Sequence, residues 1–493
     1  MNRTHLIYPV LLVVFALGLY AIIEQGKKLQ PLPIGSQGNG SAAPPTTVSA
    51  PVNPTGEPGS AVGPAPSLFA SLQDNLKDPL PRLFVQLILI VLLARICGGL
   101  AQRLHQPAVI GEMIAGILLG PSLMGWLWPG FFNFVFPAAS LGTLRLLSQI
   151  GVCLFMFVVG MELDVNLLKQ QARTAMLVSQ VSILFPYLLG AGTALFLFPS
   201  MAAPHTTFLA FALFMGISMS ITAFPVLARI LEERGLTKTP LGTTALACAA
   251  SDDVTAWTIL AFVVAIAKSA SIAACVFSIG LVLLYVLFML LWVKPRLARW
   301  IGTAPFSNGV PDTGVMAAVI VFIFASALTT DVIGIHALFG AFLAGVVIPS
   351  HGEFRNFLRV RLEHFSSVFL LPVFFAFTGL RTQIGLLDEY SAWLICLALI
   401  LVATIGKLGG ALLAARITGV NWVDSFALGA LMNTRGLIEL VALNIGYDLG
   451  ILSPRIFAML IVMALVTTGM TGPLLHLAGR LRTRKALAVE ASG

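Results

Sequence analysis

Apolar residues run along most of the chain in blocks of about 20, the length a helix needs to cross a bilayer. Hydropathy divides the region after residue 80 into about thirteen such spans. Their expected limits are Arg82 to Leu100, Ala108 to Met124, Leu141 to Leu163, Ala175 to Phe198, Thr207 to Leu231, Leu241 to Ala267 and Ser271 to Val293. After a basic connection follow Val315 to Leu328, Ile335 to Pro349, Phe365 to Leu380, Ala392 to Ala415, Val423 to Ile445 and Arg455 to Ala478. An earlier apolar run, LIYPVLLVVFALGLYAII after Arg3, suits either a signal peptide or a membrane anchor over residues 1–25.

The polar positions between the blocks are as ordered as the blocks themselves. Loops after odd-numbered spans carry Arg103; Lys169 and Arg173; Arg234 and Lys238; Lys294, Arg296 and Arg299; Arg355, Arg359 and Arg361; and Arg416. Loops after even-numbered spans carry at most one basic residue each. Positive charge collects on the cytoplasmic side, so the odd loops and the tail at 481–493, with Arg482, Arg484 and Lys485, are expected there. Residues 26–80, and above all the Pro-, Gly-, Ser-, Ala- and Thr-rich stretch from Gln30 to Pro66, read as a disordered linker on the opposite side.

The blocks also repeat. FMFVVGMELDVNLL (Phe155 to Leu168) in the third span aligns with FFAFTGLRTQIGLL (Phe374 to Leu387) in the tenth, pairing Gly160 with Gly379. IGEMIAGILLG (Ile110 to Gly120) in the second aligns with IHALFGAFLAG (Ile335 to Gly345) in the ninth. A repeat seven spans long turns its second copy upside down, the inverted-topology arrangement of secondary transporters. The same register pairs the fifth span with the twelfth, and both are interrupted at mid-depth. Phe214 to Leu231 carries Ser218, Ser220, Thr222 and Pro225; Leu428 to Gly446 carries Asn433, Thr434, Arg435, Gly436 and Glu439. Such breaks let freed carbonyls and half-helix ends face an ion instead of lipid.

Composition narrows the class. Hydrophobic residues make up 58% of the chain and charged ones 10%, which leaves an all-α polytopic membrane protein with no room for a sizeable soluble domain. The net charge of +8 lies in the loop clusters described above and not in a nucleic-acid-binding face. Five cysteines without CxxC spacing and seven scattered histidines indicate no disulfide framework, no zinc site and no resident cofactor.

Against that background two adjacent carboxylates stand out. Asp252 and Asp253, in AASDDVTAW, are the only formal charges between Leu241 and Ala267. An Asp at a helix centre costs about 2.5 to 3.5 kcal/mol on insertion scales, and intramembrane carboxylates mark ion or proton paths. Neighbouring like charges couple their titrations, so a proton can compete with a bound cation. Lys407, near the middle of the eleventh span, needs a carboxylate partner, and Asp252 or Asp253 is the one available.

VIGEMIAGILLGPSLMG, AASDDVTAW, LPVFFAFTGLRTQI and MNTRGLIELVALNIG together resemble the monovalent cation:proton antiporter superfamily, in the branch joining bacterial sodium/proton antiporters to plant-type cation/proton exchangers. The resemblance implies two inverted six-helix repeats with two crossed discontinuous helices over residues 81–480, a homodimer, elevator-like alternating access, and a bacterial inner (plasma) membrane setting. It implies that Asp253 is the shared cation and proton site, with Asp252, Ser220 and Thr222 assisting and Lys407, Arg435 and Glu439 compensating charge. Asp252 with Lys407 looks like the electrogenic type and the twelfth span like the plant type, which leaves Na+ and K+, and the stoichiometry, both open. With fifteen residues after Ala478, gating by a soluble nucleotide-binding tail is not expected. Two rival readings are a related potassium channel and an intramembrane aspartyl protease. The second is weak, because no Gly-x-Gly-Asp occurs and adjacent Asp residues on one helix cannot flank a scissile bond.

Overall fold

The computed structural model describes residues 3–29, 75, 78–162, 172–204, 206–268, 272–303, 306–307, 310–311, 313–349 and 352–490. Positions 30–74 of the expected linker lie outside the described residues. The chain is helical: α1 (Arg3–Lys27), α2 (Pro79–Arg103), α3 (Ala108–Leu119), α4 (Leu141–Glu162), α5 (Ala172–Met201), α6 (Phe208–Ser220), α7 (Phe224–Glu233), α8 (Pro240–Lys268) and α9 (Ile272–Phe288). The second half follows with α10 (Thr313–Ile333), α11 (Ala337–Val346), α12 (Gly352–Phe365), α13 (Leu371–Leu380), α14 (Tyr390–Thr404), α15 (Gly410–Ile417), α16 (Trp422–Met432), α17 (Leu437–Asp448) and α18 (Pro454–Glu490). A two-residue antiparallel pair, Phe306–Ser307 with Val310–Pro311, is a minor addition.

Among the described residues twelve helical stretches are long and apolar enough to span a membrane, and the bent pair α16 and α17 makes a thirteenth. The ninth expected span is the shorter apolar helix α11. Three spans carry one-turn π segments, at Met289–Val293, Ser366–Leu370 and Ile405–Gly409. The second span runs from Ala108 to Leu127, past the expected Met124, and its first helix ends at Leu119, where Gly120 leaves the helix against the Gly379 carbonyl and Pro121 follows. The last helix runs past Ala478 to Glu490, through the first part of the expected tail. At the other terminus α1 lies on α5 and α6, with Phe15 edge-on to Tyr187 at 5.6 Å and Gly26 against the Phe208 ring.

The repeat is built into the packing. A Cβ on Gly345 would stand 2.9 Å from the Gly160 Cα, and one on Gly120 would stand 2.8 Å from the Gly379 oxygen. The aligned register exchanges Gly120 with Gly345 and Gly160 with Gly379, so these two contacts are images of each other. Only glycine permits such backbone approach, and the result is a scaffold in which α3 locks onto α13 and α4 onto α11. Beside it, α5 to α8 and α14 to α18 form a second unit around the two interrupted spans.

Candidate functional site

The site starts from two chain breaks. After α6 the residues Ile221 to Ala223 are extended, and Pro225, which has no N–H to give, sits in the first turn of α7. After α16 the chain leaves the helix over Asn433 to Gly436, and α17 restarts at an angle of 43°. The breaks cross in contact. Ala223 donates its N–H to the Thr434 carbonyl at 3.1 Å, and the Thr222 hydroxyl oxygen lies 3.3 Å from the Met432 carbonyl. Gly436 is required here, since a Cβ would meet Val226 at 2.7 Å and Ala223 at 3.0 Å.

Breaking a buried helix orphans its last carbonyls and first N–H groups. The last carbonyls of α6 are taken by two cations: Arg435 donates to Ser218 and Met219, each at 2.8 Å, and Lys407 donates to Ser220 at 2.5 Å. Positive charge at a helix C-terminus is also what the helix dipole favours. Lys407 lies in the π segment of the eleventh span and is fully buried. Its other two partners are the Ser182 carbonyl at 2.8 Å and Asp252 Oδ2 at 3.0 Å, so each ammonium proton has an acceptor. The Ser182 carbonyl is open to it because Pro186, four residues on in α5, has no N–H to give it.

Asp252 and Asp253 are buried on α8 beside the first break. Asp252 Oδ2 accepts from Lys407, from the Thr222 hydroxyl at 2.6 Å and from the Ser182 hydroxyl at 3.0 Å. Asp253 Oδ1 faces the N-terminus of α7, where the Phe224 N–H lies at 3.5 Å. Asp253 Oδ2 and Asp252 Oδ1 have no hydrogen-bond partner among the described residues. Two buried carboxylate oxygens without donors suit a proton or a desolvated monovalent cation, which brings the charge that the protein withholds. Arg435 also pairs with Glu439 at 3.1 Å, one helical turn on and equally buried.

The expected residues therefore assemble, with one redistribution. The Ser220 hydroxyl turns back to the Gly216 and Ile217 carbonyls, and it is the Ser220 carbonyl that reaches the site, through Lys407. Ser182 was not singled out from the sequence; the only signal for it was the proline four positions later. The threonines of α18 were missed as well. Thr468 exchanges hydrogen bonds with the Arg435 backbone at 3.1 Å, and the Thr467 carbonyl accepts from Asn433 at 3.2 Å, which holds the second break.

Residues 88–478 match the family model described as sodium/hydrogen exchanger, transmembrane. The chain is 42% identical over 393 residues to the Na(+)/H(+) antiporter NhaS4 of Synechocystis, covering 80% of this chain and 96% of that protein. It is 40% identical to cation/H(+) antiporter 17 of Arabidopsis thaliana and 34% identical to K(+)/H(+) antiporter 1 of Saccharomyces cerevisiae. It spans about half the length of those two, 49% and 47%, while each covers 82% of it. The sodium proton antiporter MjNhaP1 of Methanocaldococcus jannaschii shares the fold, with a TM-score of 0.59 at 16% identity over 81% of this chain and 99% of that one.

Proposed function

Because the chain belongs to the sodium/hydrogen exchanger family, we propose that it is a secondary antiporter exchanging Na+ or K+ for protons, with Asp253 as the carboxylate they share. The observation that carries the assignment is the buried, unpartnered Asp253 Oδ2 next to the first helix break. A proton neutralises it; a dehydrated cation does the same while drawing on Asp252 Oδ1. Since one charge satisfies the site, the second ligand is excluded, and exclusion is what couples the two fluxes. Thr222 and Ser182 orient Asp252, and Lys407 supplies its counter-charge when no cation is bound. Arg435 holds the end of α6 and is itself balanced by Glu439.

The driving forces are commensurate. One pH unit is worth about 1.4 kcal/mol per proton, and one charge moved through 100 mV about 2.3 kcal/mol. If the arriving cation displaces Lys407 from Asp252 and the lysine gives up a proton, two protons move per cation and membrane potential drives the cycle. Unchanged voltage sensitivity in Lys407→Gln would remove that second carrier. We place the protein in the inner (plasma) membrane as a homodimer, with the basic loops on the cytoplasmic side, from the charge asymmetry and the family resemblance.

The test is cation-driven proton movement in proteoliposomes with a trapped pH dye, NaCl and KCl added separately. A salt-dependent pH change in wild type and none in Asp253→Asn is expected, and the effective salt names the ion. Cation flux without a pH change would mean a channel and overturn the reading.

A further inference from the structure

The two units touch differently at their two ends. On the side of the basic loops a cavity of about 420 Å³ lies between the scaffold, through Val159 and Phe375, and the crossing unit, through Pro225, Val226 and Leu437. Pro225 and Leu437 belong to the first turns after the two breaks, so this cavity ends at the half-helix starts that flank the proposed ion site. Glu162, Glu232 and Glu363 give its walls carboxylates, with Arg229 and Arg359 beside them.

At the far end the same helices are fastened. α17 is about 16 Å long, and its last turn carries Asn444 and Asp448. Arg381, just past the end of α13, donates to Asp448 and, at 3.0 Å, to Asn444; Asn444 donates to Thr378 on α13 at 2.9 Å. Arg145 of α4 holds the other Asp448 oxygen at 3.0 Å. The Arg381 guanidinium also lies over the Tyr447 ring, 4.4 Å from its centre. Thus α13 and α17 stand apart at Phe375 and Leu437 and are bound at Arg381 and Asp448.

Coupled exchange requires that the site never open to both sides at once, and that it open to each in turn. The scaffold is rigid, being locked by glycine-backed contacts. We infer that Arg145, Arg381, Asn444 and Asp448 form a releasable latch that closes the outer side while the cytoplasmic cavity is open, and that exchange requires it to part. The inference rests on the antiport reading, because only alternating exposure obliges the contact to break. The latch is built for that: it is charge-assisted and partly exposed, so each half can be rehydrated when it opens.

Two measurements test it in a background with the native cysteines replaced. Arg145→Cys with Asp448→Cys, bridged by a reducible bis-methanethiosulfonate, is expected to stop ion-driven proton movement and to regain it on reduction. Bridged protein exchanging at its reduced rate would overturn the latch, and wild type silent in the same vesicles would instead overturn the antiport reading. Separately, a cysteine at Ala228, in the cavity wall, is labelled by an impermeant maleimide from the cytoplasmic side, which needs no transport. Asp448→Asn should slow that labelling at least threefold by favouring the outward-open state. An unchanged rate would refute the latch, even if the cysteine pair proved inactive.

Discussion

Replacing Lys407 by Met keeps the length and apolar stem of the side chain and deletes the ammonium. Three acceptors lose their donor together: the carbonyls of Ser182 and Ser220, and Asp252 Oδ2. Neither carbonyl has a substitute within its helix, since Pro186 follows the first and the second ends α6. Removing one member of a buried ion pair costs about 3 to 5 kcal/mol, and two orphaned buried carbonyls add about 1 to 3 kcal/mol each, for a sum of about 5 to 11 kcal/mol. The Ser182 and Thr222 hydroxyls still hold Asp252, which keeps the loss near about 5 kcal/mol rather than above it. Thermal melting of purified protein in detergent, with and without the transported salt, reads it. Lys407→Met should melt well below wild type and be stabilised more by the cation, which takes over the missing charge. Adding Asp252→Asn should recover part of the loss, a coupling of about 0.5 to 3 kcal/mol in a double-mutant cycle. A Lys407→Met protein with a wild-type melting point and a wild-type salt response would refute the role assigned to the lysine.

Three further outcomes follow from the same geometry. If proton and cation share Asp253, the half-saturating cation concentration should rise about tenfold for each unit the pH falls once the site is mostly protonated; transport kinetics at a series of pH values read this, and a flat dependence excludes competition. Arg435→Lys keeps the charge but cannot hold the Ser218 and Met219 carbonyls together, so initial exchange rates should fall about tenfold for the loss of one charge-assisted hydrogen bond. Gly379→Ala places a Cβ 2.2 Å from the Gly116 backbone and should cost about 1 to 3 kcal/mol or more by overpacking, while Gly385→Ala, with nothing within 4 Å, should melt like wild type.

Most of the architecture was legible because a bilayer imposes length: the expected spans and the observed helices agree closely at Leu141, Leu241, Ala392 and Val423. Charges were legible for the same reason. Each of Asp252, Asp253, Lys407, Arg435 and Glu439 is costly in an apolar segment, and opposite signs seek each other, so a pair of Lys407 with Asp252 or Asp253 followed from inventory, and the structure makes it Asp252. Hydroxyls carry no such signal. Ser182, Ser220 and Thr468 each can satisfy themselves on their own helix, and which of them turns toward a neighbour depends on rotation about the helix axis, which hydropathy cannot report when both lipid-facing and core-facing sides are apolar. Backbone carbonyls are quieter still. Only the position of Pro186 hinted that the Ser182 carbonyl needed an outside donor.

The two repeats match in backbone and differ in charge, and that difference is why we propose one ion site where symmetry offers two. Each break exposes carbonyls that must find donors. At the second break the partners are neutral and permanent: the Ala223 N–H and the Thr468 hydroxyl. At the first they are Arg435 and Lys407, and the helix beside them presents Asp252 and Asp253 where α18 presents Thr467 and Thr468. A threonine hydroxyl neither gains nor loses charge near neutral pH, so the second break can only be held. A carboxylate can trade a proton or a lysine for a metal cation, so the first break can be emptied and refilled. Replacing Thr467 by Asp should accordingly add an unpaired buried charge and destabilise the fold without creating a second transport site, because among the described residues the hydrogen-bond partners of Thr467 are Asn433, Thr471 and its own helix's carbonyls, with no counterpart of the Lys407 to Asp252 pair.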